Sequence, residues 1–124
     1  MTHDQSLMIL VAGPYRSGTN DDPVLIAANV KAMTDTALDL YKMGHMPVLG
    51  EWFALPLLEA AGSKAVGDEI FNSIFHPVAI RLIGHCDAVL RIGGASAGAD
   101  AMVIAGQSKN KIIFHSKAEI PVVA

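Results

Sequence analysis

The chain has 124 residues, 52% hydrophobic and 17% charged, with a formal net charge of -3 and a single cysteine. That length fits one hydrophobic core and a single domain over 1–124. The slightly acidic balance, without clustered Lys and Arg, excludes a surface for polymeric nucleic acid, and a lone cysteine excludes an internal disulfide.

So apolar a composition on so small a surface predicts that some apolar faces meet another copy, giving a homodimer or a larger homo-oligomer. The opening MTHDQS has neither the basic nor the apolar region of a signal peptide, and no uninterrupted apolar stretch approaches the roughly 20 residues that span a bilayer. A cytoplasmic protein without membrane contact is therefore expected.

LMILVA (7–12) is a continuous apolar run stopped by Gly13-Pro14, as in a strand covered on both faces. Asp22 and Pro23 supply an N-cap and a first-turn proline, and Ile26, Val30, Met33, Ala37 and Leu40 recur at helical spacing until Gly44. HMPVLG (45–50) reads as the second strand. EWFALPLLEA reads as a short apolar helix or a loop broken near Pro56, and AAGSK as a turn. Val66 to His85 is helical in pattern, with either a second start or a kink at Pro77. CDAVLRI (86–92) is the third strand, Ala99 to Ser108 a helix, and KIIFH (111–115) the fourth strand. The tail IPVVA (120–124) is either an edge strand or a segment docked on the body.

Strands alternating with helices predict an α/β fold: a small doubly wound, flavodoxin- or Rossmann-like parallel sheet with helices on both faces. In a flavodoxin-like order, ligands lie outside the carboxyl ends of the first and third strands, where the winding reverses. Two loops would meet there, GPYRSGT (13–19) and GGASAGAD (93–100). In the first, Gly13 allows close backbone approach, Tyr15 offers a wall, Ser17 a hydroxyl, and Arg16 a planar fork suited to phosphate or carboxylate. In the second, Gly94, Ser96 and Gly98 surround a helix N-terminus, whose free amides and dipole favour an anion. Asp100 either supplies a catalytic carboxylate or only complements the helix dipole. Glu51 and Trp52, just past the second strand, lie on the same edge; Glu51 is a second candidate carboxylate or a helix-start acid, and Trp52 would stack on or wall a base. His45, His76, His85 and His115 show no metal-ligand spacing, so they are assigned to solvent or caps, and no metal or other cofactor is expected.

Taken together, ILVAGPYRSG, GHMPVLG and CDAVLRIGGASAGAD resemble the nucleoside 2-deoxyribosyltransferase-like family, over a span from Ile9 to about Phe114. The resemblance implies a flavodoxin-like oligomer whose ligand is a nucleoside or nucleotide. Its chemistry would be base exchange on deoxyribose or hydrolysis of a nucleoside monophosphate's glycosidic bond. It matches Gly13 to the glycine after the first strand, Arg16 to an arginine of the monophosphate-hydrolysing members, and Ser96 and Gly98 to a phosphate-contacting Ser-x-Gly. It also implies a glutamate nucleophile where this chain has Met102, an aspartate in the region His76 to Ala79, and in some members a tyrosine where Leu10 stands. A thioether is neither a carboxylate nucleophile nor a general base, so either Asp100 has taken the role or the chemistry is gone.

Two functions are expected on this basis. One is an N-glycosidase or deoxyribosyltransferase acting on a nucleoside or its 5'-monophosphate, with Arg16, Ser96 and Gly98 on phosphate, Tyr15 and Trp52 at the base, and Asp100 or Glu51 as the carboxylate. The other is a non-catalytic nucleotide or nucleotide-sugar sensor. Monophosphates are expected to bind better than nucleosides, through charge-assisted bonds to Arg16 and the helix N-terminus.

Overall fold

Among the described residues, four strands, β1 (Met8–Ala12), β2 (Met46–Val48), β3 (Ala88–Arg91) and β4 (Ile112–Phe114), form a wholly parallel sheet in the order β2-β1-β3-β4 at the centre of the molecule. Four helices connect them: α1 (Pro23–Lys42), α2 (Gly50–Ala61), α3 (Glu69–Ile83) and α4 (Ala97–Ser108). The computed structural model describes residues 5–123; the first four residues of MTHDQS and the last of IPVVA lie outside the described residues.

Successive side chains of a strand point to opposite faces, and β1 distributes its apolar run accordingly. Ile9 and Val11 pack with Met33, Ala37 and Leu40 of α1 on one face. On the other, Leu10 and Ala12 pack with Ala79 and Ile83 of α3 and with Ala99 and Met102 of α4. β3 does the same, sending Ala88 and Leu90 toward α1 and Val89 to the opposite side. A smaller cluster of Ala54, Leu58, Phe71 and Phe75 joins α2 to α3. The expected doubly wound α/β fold is the one observed. Among the described residues, no helix is long and apolar enough to cross a membrane.

Both internal prolines lie inside continuous helices. Pro56 sits within α2 and Pro77 within α3. Proline leaves the carbonyl four residues earlier without a donor, here those of Trp52 and Ser73, and both residues are exposed, so water can satisfy them. α2 follows β2 after the single residue Leu49, which is why HMPVLG is shorter as a strand than its apolar pattern suggests.

The tail docks on the body. Ile120 enters the core, Val123 N–H donates to the Met43 carbonyl, and a 3-10 turn covers Lys117–Glu119. His45, assigned above to solvent or a cap, is buried and holds this corner together. Its Nδ1 accepts from the Leu7 amide at 3.1 Å, and its Nε2 lies 2.6 Å from the Pro121 carbonyl.

Candidate functional site

The order β2-β1-β3 places the carboxyl ends of β1 and β3 side by side, with Ala12 opposite Arg91. The two glycine-bearing loops therefore leave the sheet together. They touch at Gly93, whose φ of 78° brings it so near Pro14 that an added Cβ would lie 2.6 Å from the ring. Any larger residue would push the loops apart. From α1, Asn29 Nδ2 donates to the Tyr15 carbonyl at 2.9 Å and fixes the first loop to the helix that follows it.

Between the loops and the first turns of α2 and α4, and against the middle of α3, lies a cavity of about 380 Å³. It brings together Gly13, Tyr15, Arg16, Ser17, Ser96, Gly98 and Glu51 from the residues expected on sequence grounds. Trp52, Gly94 and Asp100 do not line it. Adjacent helical residues point about 100° apart, so as Glu51 turns inward Trp52 turns out and is exposed. Gly94 instead gives its carbonyl to Arg91 Nη2 at 2.8 Å. Asp100 pairs with Arg91 Nε at 3.1 Å, its side chain 66% exposed.

The wall also holds Asn20, Asp21 and Phe75, which were not expected there, and His76, Ala79 and Met102, whose positions only the resemblance had marked. Phe71, Phe75 and Ala79 recur every four residues on one face of α3, but the second start or kink expected at Pro77 obscured that stripe. His76 is exposed, one of its two expected settings, and also lines this cavity. Its ring covers Gly98, where an added Cβ would come within 2.7 Å of Cε1, and it meets Phe75 edge-on at 5.4 Å. Tyr15 and Phe75 lie 4.6 Å apart, as do Phe75 and Phe71, forming an aromatic bank beside the opening.

Glu51 is the group with the least ordinary environment. It is 9% exposed, and its Oε2 has no hydrogen-bond partner. Burial pushes its carboxyl up to about 7, opposed only in part by a backbone hydrogen bond at Glu51 itself. The Tyr15 phenol is raised by burial and then by the nearby Glu51 charge, with Arg16 acting against both. Burial, followed by the Arg16 charge, lowers His76. At neutral pH the cavity thus contains a carboxyl able to give or take a proton and an imidazole in its neutral form.

Ser96 caps α4 by accepting from the Ala99 amide at 3.1 Å. Met102, one turn further on, is buried against the sheet and reaches the cavity wall. Among the described residues no group of three or more His, Cys, Asp or Glu is placed to hold a metal ion.

The chain matches no protein-family model and no curated protein.

Proposed function

We propose that this cavity binds a nucleoside or its 5'-monophosphate and that Glu51 assists cleavage of the N-glycosidic bond. The observation that carries the reading is the buried Glu51 carboxyl, with its unpartnered Oε2, in a cavity at the carboxyl edge of the sheet. A buried polar atom without a partner is costly and is best accounted for by a ligand group or by a role in catalysis. The ligand class follows from the surroundings: the aromatic bank of Tyr15 and Phe75 suits a planar base, and the hydroxyl and amide side chains of Ser17 and Asn20 suit a sugar.

The departing base takes the electron pair of the glycosidic bond and needs a proton. Protonated Glu51 supplies it, leaving positive charge on the sugar ring and a carboxylate beside it. That carboxylate then accepts a proton from the water, or from the incoming base, that adds to the anomeric carbon. The sum is glycoside plus water giving sugar plus base, or one base exchanged for another, with Glu51 regenerated. A carboxyl titrating near neutrality is suited to both halves of this cycle.

A non-catalytic sensor is the second reading, and Met102 favours it, since a buried thioether stands where the resemblance implies a glutamate. Chromatographic detection of free base from a panel of nucleosides and monophosphates separates the two. Release supports the glycosidase, whereas saturable binding without release supports the sensor.

In the same account the exposed apolar residues Trp52, Phe53, Leu55 and Leu57 of α2 form the contact with a second copy. Phe53 and Leu57 border a groove of about 760 Å³ between α2 and α3. The described tail is committed to the Met43 corner and does not cover this groove.

A further inference from the structure

From the pairing of Arg16 with Asp21, we infer that Asp21 is a resident counter-ion that makes the site select an uncharged nucleoside over its 5'-monophosphate. The inference rests on the nucleoside reading above and narrows it. Among the described residues Arg16 is the only Lys or Arg lining the cavity, and one edge of its fork is already taken: Nε reaches Asp21 Oδ1 at 2.9 Å and Nη2 reaches Asp21 Oδ2 at 2.9 Å. The guanidinium also lies over the Phe71 ring, 5.4 Å from its centroid, and against Gly67. A two-point pair held from behind in this way is the arrangement an Arg makes with a phosphate, with a protein carboxylate in the phosphate's place.

The carboxylate is delivered by a defined loop. Asn20 and Asp21 both adopt left-handed conformations, φ 51° and 59°, which Asn and Asp tolerate better than other side chains. The Asp21 amide donates to Thr19 Oγ1 at 3.1 Å, Thr19 is buried, and the next residue, Asp22, caps α1 through the Val24 amide. Both ends of Asp21 are thereby fixed, although its side chain and that of Arg16 are partly exposed.

The second expected phosphate anchor is partly engaged. At the α4 N-terminus Ser96 takes the Ala99 amide, Asp100 places a carboxylate in the first turn, and the His76 ring covers Gly98. The cavity wall therefore holds two carboxyl groups, Asp21 and Glu51, against one guanidinium. A phosphate must either break the Arg16 pair or sit beside a like charge, whereas a sugar hydroxyl can donate to the free lone pairs of Asp21.

Calorimetry with a panel of nucleosides, their 5'-monophosphates and inorganic phosphate tests this on the wild type, Asp21→Asn and Asp21→Ser, each first checked for a native circular dichroism spectrum. The expected result is a nucleoside bound about tenfold or more tighter than its monophosphate by the wild type. Either substitution should raise monophosphate affinity by about tenfold or more and create binding of inorganic phosphate. A monophosphate bound as tightly as the nucleoside by the wild type, or a ratio unchanged in both folded variants, overturns the inference. If no nucleoside or monophosphate binds any of the three proteins, the nucleoside reading fails. Inorganic phosphate then decides the counter-ion role alone: binding only after Asp21 is replaced supports it, and binding by the wild type refutes it.

Discussion

Asp100 Oδ1 accepts from Arg91 Nε at 3.1 Å, and the same guanidinium holds the Ile92 and Gly94 carbonyls of the loop that precedes α4. The carboxylate thus tightens the loop from outside the cavity. Asp100→Asn should leave ligand affinity and turnover within about threefold of wild type and lower stability by about 1 kcal/mol or less, the usual worth of a surface pair at a helix start. A hundredfold loss of base release in a folded variant would return Asp100 to the chemistry.

Glu51 makes stability depend on pH. Its carboxyl titrates at about 7 in the folded chain against 4.5 ordinarily, so between these values the folded state keeps a proton that the unfolded chain has released. Stability is full below pH 4.5, falls as pH rises to about 7, and is level above, by about 3 kcal/mol in total. Asp68 acts in the opposite sense and lower down: the amides of Phe71 and Lys64 hold it to about 2, so its contribution is lost only below 3.8. Denaturant melts should show Glu51→Gln matching wild type near pH 4.5 and exceeding it at pH 8. Parallel curves across that range would count against the buried, protonated carboxyl.

Met102 is packed among Leu10, Ala79, Val89 and Ala99 while also reaching the cavity wall. Met102→Leu should cost less than about 1.5 kcal/mol, as volume-conserving core exchanges do, and leave base release unchanged. Met102→Glu should lower thermal stability clearly, because it buries a second carboxyl near Glu51. Equal melting temperatures for Met102→Glu and wild type would show that this position opens to solvent.

On assembly, light scattering at micromolar concentration should give the mass of a dimer or larger. Leu57→Glu, which puts a charge on the exposed apolar side of α2, should shift it toward one chain. A monomeric wild type would remove α2 as a contact.

The parallel sheet was legible because LMILVA and CDAVLRI carry apolar side chains on both faces, and the first helix because Asp22, Pro23 and the Ile26 to Leu40 stripe agree. Gly13, Arg16, Ser96 and Gly98 were legible as neighbours because each follows a strand end that the fold brings to one edge. Asp21 was not, because its role arises from a side-chain pair across a turn that no spacing rule encodes. His76 was marked only by the resemblance, within the region His76 to Ala79; the local pattern hid it, because its place depends on α3 continuing through Pro77, which local propensity opposes and tertiary packing overrides. Glu51 and Asp100 looked alike as acids in first helical turns, and only burial separates them.

The proposed role of Glu51 is to move the proton in glycosidic cleavage. Its most direct test is the rate of base release by Glu51→Gln against wild type at pH 6, on whichever nucleoside of the panel turns over, with affinity measured alongside. A loss of about a hundredfold or more in rate is expected, with affinity changed less than about threefold. A Glu51→Gln enzyme that releases base within about threefold of the wild-type rate would contradict it.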